Sequence, residues 1–124
     1  MERISSLRSA SALALALLAF GCTSNRRATT ERTEFENSSA RRLAVAREGL
    51  DSLAAELRIR TDTATVQLRQ QLDSLTVARD VAARKLDTLK TAESGRWREI
   101  RGEVTDLTAG LEAQIDSLRA RLHR

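Results

Sequence analysis

Few side chains in this 124-residue chain are equipped for chemistry, and those few are scattered. There is one cysteine, Cys22, and one histidine, His123. A lone thiol forms no internal disulfide, and a lone imidazole forms no cluster, so thiolate zinc sites and histidine-based acid–base catalysis lack their residues. Aspartates recur in a four-residue unit: Leu50-Asp-Ser-Leu53, Leu72-Asp-Ser-Leu75, Leu86-Asp-Thr-Leu89 and Ile115-Asp-Ser-Leu118. The units start 22, 14 and 29 residues apart. That is too far for their carboxylates to converge on one ion, and no calcium loop surrounds them. Nucleophile–base pairs, phosphate-cradling glycine loops and paired carboxylates are absent at useful spacing. The chain is therefore expected not to be an enzyme, and to use no metal, cofactor or small-molecule substrate.

One chemistry remains open to Cys22, which is acylation, and its neighbourhood suits that chemistry. Arg3, Arg8 and the amino terminus make a positive start, partly offset by Glu2. An apolar run follows from Ala10 to Gly21, broken only by Ser11, and gives way abruptly to Thr23-Ser-Asn-Arg-Arg27. The run has the length of a signal-peptide core and falls short of the roughly 20 apolar residues that span a bilayer. Residues 1–21 are read as a targeting segment that lies outside the fold.

Ala19-Phe20-Gly21-Cys22, preceded by Leu18, resembles the lipobox of bacterial lipoproteins, the site cut by signal peptidase II. Gly21 and Cys22 match that pattern, Ala19 is a tolerated variant of its usual leucine, and Phe20 is bulkier than its usual small residue. The resemblance implies that Cys22 receives a thioether-linked diacylglycerol, becomes the new amino terminus and is usually N-acylated as well, with palmitate as the expected acyl group. Two or three acyl chains anchor stably, since each buried methylene contributes about 0.8 kcal/mol. Thr23 follows the cysteine where an aspartate would retain the protein in the inner membrane. The implied location is the outer membrane of a diderm cell envelope, with the remainder in the periplasm.

Behind the anchor, residues 22–40 are rich in Thr, Ser, Asn, Arg and Glu, with Phe35 as the only large apolar side chain. They are read as a flexible polar tether reaching about 60 Å when extended. Asn37-Ser-Ser39 is the expected helix start, since those side chains can accept from free first-turn amides.

From Leu43 to Leu122 a single pattern holds. Apolar residues, with Thr61, Arg79 and Glu93 filling the gaps, recur in steps of three or four: 22 steps over 79 residues, or about 3.59 per step. All thirteen leucines beyond Cys22 lie on this stripe. The period predicts an amphipathic α-helix, and its value, between 3.5 and 3.67, predicts little supercoiling. The fold expected is all-α: a coiled-coil-like, nearly straight helix over 41–124, about 125 Å long at 1.5 Å per residue. Its weak points are Thr61-Asp-Thr-Ala-Thr65 and Ala92-Glu-Ser-Gly95, and Gly95 marks where it would break or fold back.

The seam of that helix is assigned to Leu50, Leu53, Leu57, Leu68, Leu72, Leu75, Leu86, Leu89, Trp97, Ile100, Val104, Leu107, Leu111, Ile115, Leu118 and Leu122. Ile59, Val66, Val77 and Val81 form a weaker ridge on the opposite side. Arg79 and Glu93 interrupt the seam, read either as long stems lying along it or as polar groups that specify register. A lone helix cannot bury such a stripe, so a second copy, a folded-back half, a partner helix or a lipid surface must cover it.

Composition agrees with an elongated helical chain: 31% charged, 2% aromatic and no proline. The net charge is +4, and loss of Glu2, Arg3 and Arg8 with the leader leaves +3. Acidic residues interleave with the arginines, so no one-sided basic patch marks nucleic-acid binding. In plan the chain resembles the murein lipoproteins, with a lipidated cysteine, a polar segment and a long striped helix. That class ends in a lysine joined to peptidoglycan, whereas this chain ends Leu122-His-Arg124 and has only Lys85 and Lys90. A membrane-anchored rod that self-associates or binds partner helices, touching the wall non-covalently, is the leading expectation. A lipid-surface binder resembling the exchangeable apolipoproteins and a periplasmic holdase are the alternatives.

Overall fold

The computed structural model describes the backbone of residues 2–124 and the side chains of residues 26–124. The protein is all-α: α1 spans Glu2–Arg58, α2 Ala64–Lys90 and α3 Ser94–Leu122, with no strand among the described residues. Two compact units divide the chain, residues 1–35 and residues 36–124.

The helix does not begin at Asn37-Ser-Ser39. Residues 26–40, expected to be a flexible tether, already lie inside α1. Arg, Ala and Glu occupy eight of those fifteen positions and are good helix formers. Thr30 and Thr33 turn their hydroxyls back onto the carbonyls of Arg26 and Thr29, at 2.8 and 3.0 Å, so they need no solvent-exposed turn to satisfy them. Ser39 is buried, one four-residue step before Leu43, and so sits on the apolar stripe where a capping role was expected.

Residues 36–124 form an up-down-up bundle. The expected straight helix is interrupted twice, near both weak points, and the stripe folds onto itself. The first break, residues 59–63, contains β-branched Ile59, Thr61 and Thr63 together with Asp62, all indifferent helix formers. The second, residues 91–93, lies just before the Gly95 position expected for a fold-back. Neither turn uses a left-handed residue, since no described residue has positive φ. Gly95 is thus an ordinary first-turn residue of α3, with open space beside it.

Side-chain contacts fix the directions. Arg42 pairs with Glu112, a Cβ on Gly49 would meet Ile115 and Arg119, and Glu56 meets His123, so α1 and α3 run parallel. Lys85 on α2 pairs with Glu103 on α3 at 2.6 Å, and Arg69 reaches the Leu57 carbonyl at 3.0 Å, so α2 runs against both.

Leucine fills the interior. Fourteen of the sixteen seam residues are buried, and Leu68 and Leu107 are half-buried. Leu43, Ala46 and Ala82 join them, as do Thr65 and Thr108. Thr108 satisfies its hydroxyl on the Val104 carbonyl at 2.7 Å, which lets a polar residue take the core position beside Leu107. Two of the three polar residues needed to complete the step series, Thr61 and Glu93, fall in the two breaks and face solvent. The opposite ridge, Ile59, Val66, Val77 and Val81, is exposed and has no covering helix within residues 36–124.

This division between core and ridge sets the response to truncation. Leu53 is 1% exposed and Val77 60% exposed. Leu53→Ala should lower unfolding free energy by about 2–5 kcal/mol, and Val77→Ala by no more than about 0.5 kcal/mol. Urea unfolding followed by circular dichroism measures both, and equal effects would mean that the stripe is not the core.

Candidate functional site

Cys22 and the three residues before it, Ala19, Phe20 and Gly21, have side chains outside the described residues, and their environment has no structural account here. The backbone there belongs to α1. The remaining candidate, the leucine seam, is brought together as the interior of the 36–124 bundle, each third of it covered by the other two.

The end of the bundle where α1 and α3 stop is the best-organised polar region. Both helices leave unsatisfied carbonyls there, and arginines answer both. Arg69 of α2 donates to the Leu57 carbonyl, and Arg60 in the turn donates to the Leu122 carbonyl. Asp62 starts α2. Its Oδ1 accepts from the Thr65 amide at 3.2 Å and from the Thr65 hydroxyl, although Thr63 occupies the formal capping position and makes no such bond. The Thr65 hydroxyl bond holds the Asp62 carboxyl below the ordinary aspartate range, outweighing partial desolvation, with the Thr65 amide and the Arg60 charge adding to it. These groups close the end of the bundle and leave no donor set aimed at a ligand.

Along the barrel, Arg42 donates through Nη2 and Nε to the two oxygens of Glu112, which raises its own pKa further. Both side chains are about 40% exposed, so the pair is worth no more than about 1 kcal/mol and weakens with salt. Trp97 is buried under α3, and the Arg101 guanidinium lies 5.4 Å from its ring centroid, a cation–π contact. Trp97 is thus a core residue held by its own helix.

Arg79 is the one interruption of the stripe that remains inside the bundle. It lies between α1 and α2, in shallow grooves shared with Arg47 and Asp51. Its Nη1 is 3.2 Å from Asp80 Oδ1, while its Nε is buried and makes no hydrogen bond. The stem lies along the seam with its charged end reaching the groove, the reading that costs least for a long cationic side chain. A further groove, between α2 and α3, is lined by Gln71, Ser74, Gln114, Ser117 and Arg121 over Leu75 and Leu118. None of these grooves gathers a nucleophile with a base.

Among the described residues no three His, Cys, Asp or Glu side chains gather as metal ligands, and no helix is long and apolar enough to cross a membrane. The four aspartates of the repeated unit, Asp51, Asp73, Asp87 and Asp116, are all exposed on the outer surface. No family model matches the chain, and neither curated proteins nor solved structures include a match.

Two substitutions probe these assignments. Asp62 has a depressed pKa in the folded state, so its contribution is present above the unfolded value of about 3.9 and is lost as pH falls through the lower folded value. Asp62→Ala should lower the urea midpoint at neutral pH, and the gap to wild type should close on acidification below that range. A gap that persists unchanged in strong acid would deny the carboxylate this role. Arg79→Leu removes a buried, unbonded N–H and extends the apolar stripe, and should raise stability by on the order of 1 kcal/mol. A loss of stability would show that the guanidinium is needed where it lies.

Proposed function

We propose that this protein is a lipid-anchored lipoprotein of the bacterial envelope whose helical domain serves a structural or scaffolding role in the periplasm, binding other proteins and carrying out no catalysis. The observation that carries the reading is the placement of the sole cysteine: Gly21-Cys22 stands at the junction between the Ala10–Gly21 apolar run and a polar, helix-forming sequence. Cys22 would be the acylated residue, and the outer membrane the destination implied by Thr23.

The bundle refines the second half of that reading. A stripe buried within residues 36–124 does not call for a second copy to hide it, which supports a domain that meets partners through its polar surface. The lipid-surface alternative needs the stripe turned outward, and the holdase alternative needs an apolar face for clients. Within the bundle, the large apolar side chains left exposed are Val45 and the narrow ridge of Ile59, Val66, Val77 and Val81, against a stripe of seventeen buried apolar residues. That favours the scaffold over both. A contact with peptidoglycan would be non-covalent, through the charged outer faces.

Metabolic labelling with an alkyne palmitate analogue tests the anchor. The wild-type chain should take up label and sediment with membranes, and Cys22→Ser should lose both properties. An inhibitor of signal peptidase II should leave a precursor heavier by the leader. Unlabelled wild-type protein released into the soluble periplasm would defeat the proposal.

A further inference from the structure

Residues 91–93 join α2 to α3 in a way that leaves a second packing open to the same side chains. Thr91 is near-helical, with φ −106° and ψ 3°, and Glu93 is extended, with φ −69° and ψ 160°. The turn sequence Thr91-Ala-Glu93 contains neither proline nor glycine, and no described residue has positive φ. All three residues can therefore enter a helix, and ψ of Glu93 must rotate from 160° to the helical value. The turn is lightly held. Backbone bonds run from the Ala92 amide to the Leu89 carbonyl and from the Trp97 amide to the Glu93 carbonyl, the Thr91 hydroxyl donates to the Thr88 carbonyl at 3.3 Å, and no side chain caps α3. The other turn is tied by Asp62, Arg60 and Arg69, so the two differ in how readily they open.

The apolar stripe keeps its phase across this loosely held turn. Leu86 and Trp97 are eleven residues apart, as are Leu89 and Ile100, and all four are buried. Eleven residues are three helical turns to within about 20°. An intramolecular bundle does not require such continuity, because each helix could present its core residues in any phase relative to its neighbour. The same phase holds across the first turn, where Leu57 and Leu68 are also eleven residues apart, so continuity permits a straight helix at either break and the difference in how the two turns are tied selects Thr91–Glu93.

We propose that α2 and α3 can straighten through Thr91–Glu93 into a single helix from Ala64 to Leu122, and that two copies of the chain then exchange α3. Each α3 packs against the α1 and α2 of the other copy. The exchange preserves the seam and the Lys85–Glu103 pair, now between chains, and closes as a two-fold dimer. In the straightened helix Glu93 falls on the seam, one step from both Leu89 and Trp97, so its charge holds the balance toward the closed bundle.

The Lys85–Glu103 contact, 2.6 Å between Nζ and Oε2, supplies the readout. Full chains labelled with heavy nitrogen and unlabelled full chains are mixed in denaturant, refolded together in detergent over a range of concentrations, and treated with a carbodiimide. Mass spectrometry then asks whether the Lys85–Glu103 amide joins a heavy chain to a light one. Mixed amides should rise with concentration. Glu93→Pro matches the observed φ of the turn but breaks a straight helix, and should cut the mixed fraction by roughly tenfold or more. Glu93→Leu completes the seam and should raise it. Should Glu93→Pro lose its helical circular dichroism, insertion of Gly-Ser-Gly after Ala92 takes its place, with the same decrease expected. Only heavy–heavy and light–light amides at every concentration would overturn the proposal, as would a mixed fraction indifferent to both Glu93 substitutions or to the insertion.

Discussion

Everything in residues 36–124 depends on hiding one leucine stripe. With two phenylalanines, one tryptophan and no tyrosine, the chain has almost no large aromatic surface from which to build a core. Leucines, aided by a few Ile, Val and Ala, supply it instead, and they supply it along one face of a helix. Burying such a side chain fully is worth about 1.5–3 kcal/mol relative to leaving it in water, so a stripe this long cannot remain exposed. Helix formation itself contributes little at these lengths without packing. Where the chain turns, and which charged residues face each other, follows from how that face is covered.

Covering it internally fixes the polar architecture as well. Two parallel helices ending at the same level place two sets of unsatisfied carbonyls side by side, and Arg60 and Arg69 are there to meet them. An antiparallel α2 begins at that same end, so its free amides lie beside those carbonyls, and Asp62 takes up one of them. Opposite partial charges of the helix ends thus meet within a few residues of the first turn. The ion pairs farther along, Arg42–Glu112 and Lys85–Glu103, are surface-exposed and contribute mainly to register.

The helical class, the seam residues and both break regions were legible in the sequence because each rests on local information: a 3.6-residue period, leucine content, and runs of β-branched or small residues. The way the stripe is covered was not. A period of 3.59 describes a straight rod as well as it describes three segments of it, and Thr61 and Glu93 complete the series while standing in the turns. Polar composition misled at residues 26–40, where threonines satisfied by their own helix look the same as threonines in a tether. The spacing Phe35–Ser39–Leu43 carried the correct signal, since steps of four lead back from the stripe, but a serine at a core position reads first as a cap. Asp62 was equally hidden, since only the turn gives its carboxylate an amide to receive.

The ambiguity between rod and bundle is physical and not merely a matter of reading. A sequence specifies one packing when turn chemistry, pattern and capping all point the same way. Here the pattern permits both arrangements, and the choice falls to the turns. The first turn commits itself: Asp62 caps, and two arginines bind the ends it brings together. The second has no side chain capping α3, no left-handed residue and no proline; the Thr91 hydroxyl on the Thr88 carbonyl ties the end of α2, and Gly95 together with the charge on Glu93 at a seam position works against a straight helix. A chain whose apolar face is continuous but whose second turn is weakly enforced keeps closed and exchanged forms near in free energy, because the same contacts are made in both. Local concentration then decides between them. Anchoring many copies on one membrane surface, as proposed for Cys22, raises that concentration without altering a single contact in the bundle.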